Sequence, residues 1–151
     1  MPAMTNPLDW KTVLLAKHAQ HVAIIHFPIA LFIVGVVFDG LAVWTKREVF
    51  AAAAFFNLSA AALAVPPAVL TGLLAWQWQL EGQPLKGILL YHVLAASGAG
   101  LLIVVNWWIH FRARRTSGGA LPNWRLPIEF VGIGLVMLTG HLGGFLSGVN
   151  G

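Results

Sequence analysis

The 151-residue sequence contains no cysteine and very little charge. Without cysteine, disulfides, thiolate metal sites, iron–sulfur clusters and haem attached through CxxCH are excluded. Charged residues make up 9% of the chain, whereas a soluble domain carries about 25%. Hydrophobic residues make up 58% and the mean hydropathy is +0.79, which also excludes intrinsic disorder, because disordered chains are polar and highly charged. The composition therefore predicts an integral membrane protein.

Four apolar segments are long enough to cross a bilayer, which takes about 20 helical residues. They cover residues 22–44, 49–76, 87–111 and 126–146. Because short connections make neighbouring spans antiparallel, we expect an all-α fold. It is a four-helix transmembrane bundle with up-down-up-down order, forming one transmembrane domain over residues 1–151. The Pro66-Pro67 pair predicts a kink in the second span.

The residues before the first span predict a short N-terminal interfacial extension. Asn6 suits a helix cap and Pro7 suits the first helical position. The first twenty residues lack the apolar run of about 7–15 residues that a cleavable signal peptide needs. We therefore expect the first span to remain in the mature protein.

Basic residues are divided unevenly between the two ends of the predicted bundle. The first and third loops contain Lys46, Arg47, Arg112, Arg114, Arg115 and Arg125, and the other side contains Lys11, Lys17 and Lys86. The positive-inside rule places the more basic side in the cytoplasm. We therefore expect a multi-pass protein of a bacterial inner membrane, in contact with the lipid bilayer, with both termini periplasmic. The net charge of +4 lies in loops, so it indicates orientation, and no nucleic-acid partner is expected.

Six histidines in so apolar a chain indicate a function, because polar groups inside a membrane are costly and usually functional. His26, His92 and His141 come from three different spans and fall at one depth near the outer surface. His18 and His21 lie just above them, one helical turn apart. These five histidines are the predicted cofactor-binding residues, and no catalytic residue is predicted. His110 stands alone among the histidines at the cytoplasmic end.

Because the first and third spans are diagonal partners in such a bundle, His26 and His92 are expected to face each other across its axis. Axial ligands of haem iron need this arrangement, and ligation by two nitrogens suits electron transfer. His141 is the alternative ligand, or a hydrogen-bond donor to a haem propionate or to a quinone. Since only His110 lies at the cytoplasmic level, we predict one haem b per chain.

A second polar set lies near the cytoplasmic end and consists of Asp39, Asn57, Asn106, His110 and Glu129. Its acids suit either proton transfer or a buried hydrogen-bonded group that fixes helix packing. Glu129 lies in the first turn of its span, where a negative charge is stabilised, which favours a structural role. Asp39 lies deeper, so a functional role is harder to dismiss.

Two other classes of function remain open. The chain can be a cofactor-free assembly or anchor subunit of a respiratory complex, or His26, His92 and His141 can ligate copper or zinc. The sequence contains no Ser–His–acid elbow, phosphate loop or HExxH helix, which favours an electron-transfer subunit over a stand-alone enzyme. Four spans argue against a transporter unless the chain forms a homo-oligomer.

Several motifs resemble those of one known family. The segment HAQHVAIIHFPIAL from His18 to Leu31, followed by Asp39, resembles the opening of the DUF2231 family of small bacterial membrane proteins. Thr71-Gly72-Leu73, His92 and the segment HLGGFL from His141 resemble its later motifs. That family is similar to four-helix b-type cytochromes, and related chains are fused to electron-transfer domains. The resemblance implies a haem near the periplasmic face and electron exchange between quinone and a periplasmic or membrane redox partner.

Overall fold

The computed structural model describes residues 17–116 and 120–148, and the side chains from residue 20 onward. The expected N-terminal extension lies outside the described residues. Four helices account for most of the described chain: α1 Lys17–Thr45, α2 Glu48–Trp78, α3 Gly87–Arg115 and α4 Arg125–Leu146. No strand occurs among these residues. All four helices are long and apolar enough to cross a membrane, which confirms the predicted bundle of four helices.

Each helix contains its predicted span and extends beyond it, α4 by a single residue. Only Lys46 and Arg47 separate α1 from α2. Lys46 adopts a left-handed conformation with φ 59°, and its N–H donates to Ala42 O at 2.9 Å. This left-handed residue ends α1 and reverses the chain within two residues. The helix α2 continues through Pro66 and Pro67, both of which are exposed.

The four helices form two hairpins. The contacts of α1 with α2 and of α3 with α4 are more extensive than the contacts of α2 with α3 or of α1 with α4. These four neighbouring pairs close a ring in which α1 and α3 are diagonal, as the up-down-up-down order requires. The end that holds the α1–α2 and α3–α4 connections is here named the inner end, after the predicted orientation, and the opposite end the outer end.

An apolar layer fills the middle of the bundle. Its buried members are Phe32, Leu58, Ala61, Ala99, Ile103 and Val136. Two glycines bring neighbouring helices close together at this level. A Cβ atom on Gly35 would lie 3.0 Å from the Leu58 side chain, and one on Gly132 would lie 2.7 Å from Cζ of Phe32. Small residues therefore serve helix packing here, as they do in other membrane bundles.

Large apolar side chains cover the outside of the bundle. Trp44 and Phe130 are each 80% exposed, and Leu63 is 78% exposed. In a membrane these side chains contact lipid at no cost, because the hydrocarbon is as apolar as they are. The outer surface of the bundle therefore fits a lipid environment.

Candidate functional site

The interior faces of α1 and α3 carry polar residues near both ends and apolar residues between them. In α1 the buried residues Pro28, Phe32, Gly35 and Asp39 recur every three or four positions. The same face includes His21, because it precedes Asp39 by 18 residues, or five turns and roughly 27 Å. In α3 the same spacing of 18 residues separates His92 from His110. The interior of the bundle therefore has two polar sites with an apolar layer between them.

The site at the inner end is built around an ion pair between α1 and α4. Nε and Nη2 of Arg125 both lie 2.8 Å from Oδ2 of Asp39. Nη1 of Arg125 donates to the Pro122 carbonyl oxygen at 3.2 Å. Asp39 is 0% exposed and Arg125 is 3% exposed, so this pair is shielded from both water and lipid.

A second contact at the same level joins α3 to α4. Nε2 of His110 lies 3.3 Å from Oε1 of Glu129 and 3.9 Å from Oδ1 of Asp39. Asn106 lies one turn before His110 on the same buried face, and its Nδ2 donates to the Leu102 carbonyl oxygen at 2.9 Å. The five buried residues Asp39, Asn106, His110, Arg125 and Glu129 are here named the inner cluster.

Three oxygen atoms of the inner cluster have no hydrogen-bond partner among the described residues. They are Asp39 Oδ1, Asn106 Oδ1 and Glu129 Oε2. A buried acceptor without a donor is costly, and most buried polar groups in proteins are paired. The cluster is therefore short of hydrogen-bond donors or of positive charge.

The site at the outer end contains His21 of α1 and His92 of α3. Nδ1 of His21 lies 3.1 Å from Oγ1 of Thr71, and the same Oγ1 lies 2.9 Å from the Pro67 carbonyl oxygen and 3.1 Å from the Ala68 carbonyl oxygen. With the hydroxyl hydrogen directed to either carbonyl, Oγ1 accepts from Nδ1–H of His21. Nδ1 of His92 lies 3.2 Å from the carbonyl oxygen of Thr139, which can only accept. In a neutral ring, a proton on Nδ1 leaves the lone pair of Nε2 available to a ligand.

Each of these two imidazoles lies against a glycine of its own hairpin. A Cβ atom on Gly72 would lie 3.0 Å from Cε1 of His21, and one on Gly143 would lie 3.3 Å from Cε1 of His92. Both rings are half-buried, and they lie close enough to interact electrostatically. His21 and His92 are here named the outer histidine pair.

The other predicted ligands lie elsewhere. His26 is exposed, and its Nδ1 bonds to the Val22 carbonyl oxygen of its own helix. His141 is exposed, and its ring meets Phe145 edge to face with the centroids 5.1 Å apart. The backbone of His18 belongs to the first turn of α1, and its side chain lies outside the described residues.

The antiparallel order suggested that His26 and His92 face each other across the bundle axis. In the structure they do not. A helix turns by about 100° per residue, so His26, two positions before the buried Pro28, points away from the interior. His141 stands in the same relation to Gly143 of the interior face. Of the histidines with described side chains at this end, the structure turns His21 and His92 inward. Haem ligation by any of these residues stays a prediction.

Sequence patterns missed one member of the inner cluster. Arg125 was counted among the basic loop residues that indicate orientation, yet the structure buries it against Asp39. Arg125 precedes Glu129 by four residues, which puts both side chains on one face of α4. This spacing is the sequence signal that could have placed Arg125 in the inner cluster. His110, which the sequence pattern groups with both acids, contacts Glu129 and approaches Asp39.

A family model described as "Predicted membrane protein (DUF2231)" matches residues 17–151. The chain belongs to the DUF2231 family. The match includes all four helices of this DUF2231 protein, and it confirms the resemblance of the histidine-rich and glycine-rich motifs. Comparison with curated proteins and with solved structures gives no match.

Proposed function

We propose that this DUF2231 protein is a b-type cytochrome-like electron-transfer protein in which His21 and His92 ligate one haem b near the outer end of the bundle. The observation that supports this most directly is that the two imidazoles have equivalent surroundings. Each comes from a different hairpin, each is oriented through Nδ1 by an oxygen of its own hairpin, and each keeps an Nε2 lone pair. The proposal replaces His26, the first-choice partner of His92, by His21.

The hydrogen bonds at Nδ1 fit the behaviour of metal-bound histidine. Such a ligand almost always donates its other ring N–H to a carbonyl, a carboxylate or water, which fixes its tautomer and orientation. Thr139 supplies a carbonyl oxygen to His92, and the Thr71 hydroxyl serves His21 in the same way. Both rings are therefore prepared to bind a metal through Nε2.

The division of the bundle into two hairpins also fits a flat group between them. Because the two hairpins share fewer contacts with each other than their helices share internally, a ring between them displaces the least packing. Haem bound by two imidazoles supplies a one-electron centre suited to electron transfer rather than oxygen chemistry. If the outer end faces the periplasm, as the loop charges predict, such a haem would lie within reach of quinone in the bilayer and of a periplasmic partner.

Haem-replete expression of the full chain followed by a pyridine haemochrome assay tests this proposal. We expect one haem per chain and a six-coordinate spectrum. His21→Gln and His92→Gln should each lose the six-coordinate spectrum. His26→Gln and His141→Gln are matched controls, because their exposed rings lie off the interior face, and they should keep it.

Absence of a Soret band in the wild-type protein would overturn the proposal, as would loss of the band in the controls but not in His21→Gln. Elemental analysis of the same preparation then distinguishes the two alternative functions, a copper or zinc protein and a cofactor-free subunit. Copper or zinc that depends on the outer histidine pair indicates a mononuclear metal protein. Neither haem nor metal at this pair indicates a cofactor-free anchor or assembly subunit.

A further inference from the structure

The inner cluster contains the donor atoms of a metal site that is separate from the outer histidine pair. We propose that Asp39, His110 and Glu129 bind a divalent transition-metal cation, with the Asn106 oxygen as an additional ligand. One ligand atom from each of the first three residues lies within 4.8 Å of the others. Metal–ligand bonds of about 2.0–2.2 Å put neighbouring ligands roughly 3–4 Å apart, so small side-chain movements close the site.

The unpartnered atoms of the cluster point to a cation rather than to another hydrogen-bonding residue. All three are acceptor oxygens, in side chains that are 0% or 1% exposed. Oδ1 of Asp39 lies 3.9 Å from Nε2 of His110, so it is directed toward that ligand. A coordinated cation supplies the positive charge that these buried acceptor oxygens lack.

Arg125 orients the site without occupying it. It binds Oδ2 of Asp39 through Nε and Nη2, and it directs Nη1 to the Pro122 carbonyl oxygen. Oδ1 of Asp39 is thereby left for a metal. Ligating carboxylates are commonly held by such an outer hydrogen bond, and this support strengthens metal affinity.

The formal charge of the cluster also attracts a cation. With His110 neutral, two carboxylates and one guanidinium give a net charge of −1, which is costly at 0–3% exposure inside a membrane protein. A proton on the histidine or on a carboxyl group cancels this charge, but it leaves at least one of the three oxygens without a partner. A metal ion meets both needs of the cluster.

The mixture of donor types selects the class of metal. Mg²⁺ and Ca²⁺ prefer sites made of oxygen alone. One imidazole nitrogen with carboxylate and amide oxygens suits first-row ions such as Mn²⁺, Fe²⁺ or Zn²⁺. Mn²⁺ is the most useful probe, because its electron paramagnetic resonance (EPR) spectrum reports both occupancy and nitrogen coordination.

The test uses the full chain in lipid nanodiscs, washed with a chelator and titrated with Mn²⁺. We expect one tightly bound ion per chain, with hyperfine coupling to a nitrogen atom that His110→Gln removes. Glu129→Gln keeps the side-chain shape and should weaken Mn²⁺ binding about tenfold or more. Glu48→Gln is the matched control, because Glu48 is an exposed acid at the same end of the bundle.

The double variant His21→Gln/His92→Gln should keep the ion, which separates this site from the outer histidine pair. Failure of the metal-site proposal is also distinct from failure of the haem proposal, because the Mn²⁺ signal does not depend on a Soret band. Circular dichroism confirms that each variant is folded. The proposal is overturned if the wild-type chain binds neither Mn²⁺ nor Zn²⁺ tightly, or if folded His110→Gln and Glu129→Gln variants bind as tightly as the wild type.

Discussion

Arg125 binds Asp39 through Nε and Nη2, which both lie 2.8 Å from Oδ2. This ion pair joins the last helix of the bundle to the first. The contacts between α1 and α4 are the least extensive of the four neighbouring pairs of helices. The pair therefore closes the ring of helices where apolar packing is weakest. Both side chains are buried, so neither charge has water to solvate it if its partner is lost.

Breaking this pair should destabilise the bundle strongly. Arg125→Gln leaves the Asp39 carboxylate buried without its counter-ion, and loss of one partner of a buried ion pair costs about 3–5 kcal/mol. Thermal unfolding in detergent, followed by circular dichroism, measures the effect. Arg114→Gln is the control, because Arg114 is exposed and should change stability by less than about 1 kcal/mol. Equal melting temperatures for the two variants would show that the pair does not hold the helices together.

A second prediction concerns the contact between Phe32 and Gly132. Gly132→Ala would place Cβ 2.7 Å from Cζ of Phe32, whose ring is fully buried and cannot move aside cheaply. Overpacking of this kind costs about 1–3 kcal/mol. Gly134→Ala is the matched control on the same helix, since no atom lies within 4 Å of its new Cβ. In the same melting experiment we expect only Gly132→Ala to lower the transition, and a neutral result for it would contradict this packing.

The extent of the four helices could be predicted from the sequence because it follows from local composition. A run of about 20 apolar residues becomes a helix in a bilayer regardless of its neighbours. Depth from the membrane surface is likewise a prediction from residue positions, which put His26, His92 and His141 at one level. Depth does not give direction, and the helical phase turns His26 and His141 outward while it turns His21 inward.

The inner cluster was only partly predictable because its membership depends on long-range pairing. The polar character of Asp39, His110 and Glu129 near one end was visible in the sequence. Arg125 looked like an ordinary loop residue, since its partner is 86 positions away on another helix. A structural role for Glu129 at the start of its helix was the simpler hypothesis, and its proximity to His110 and Asp39 became evident only when the helices were assembled.

A third prediction tests how His21 is oriented, and it depends on the proposed haem. Thr71→Val removes the hydrogen-bond partner of Nδ1 of His21, so this bond no longer holds the ring in one orientation. Loss of such an outer partner typically lowers metal affinity by about 10–100-fold. Haem titration of the purified apoprotein should show a decrease of this size.

Thr139→Val is the control for that experiment. His92 bonds to the backbone carbonyl of Thr139, whereas the hydroxyl of Thr139 donates to the Leu135 carbonyl oxygen. Valine keeps the backbone carbonyl, so haem affinity should remain close to that of the wild type. Equal affinities for Thr71→Val and the wild type would show that the Thr71 hydroxyl does not prepare His21 for ligation.

A final prediction concerns the orientation of the bundle in the membrane. The inner end carries exposed Arg112, Arg114 and Arg115, and the guanidinium of Arg114 lies 4.3 Å from the ring centroid of Phe55. Positive charges beside aromatic rings at a helix end suit the cytoplasmic membrane surface. Because the chain has no cysteine, single-cysteine variants report their own position without background labelling.

Gln83→Cys, in the exposed α2–α3 connection, should react with a membrane-impermeant maleimide in intact spheroplasts. Thr116→Cys, exposed at the end of α3, should react only after the membrane is permeabilised. Ser97→Cys is the control, since Ser97 is exposed in the middle of α3, where lipid protects it from the reagent in both conditions. The reverse labelling pattern would indicate the opposite orientation in the membrane. The outer histidine pair would then face the cytoplasm and the inner cluster would face the periplasm.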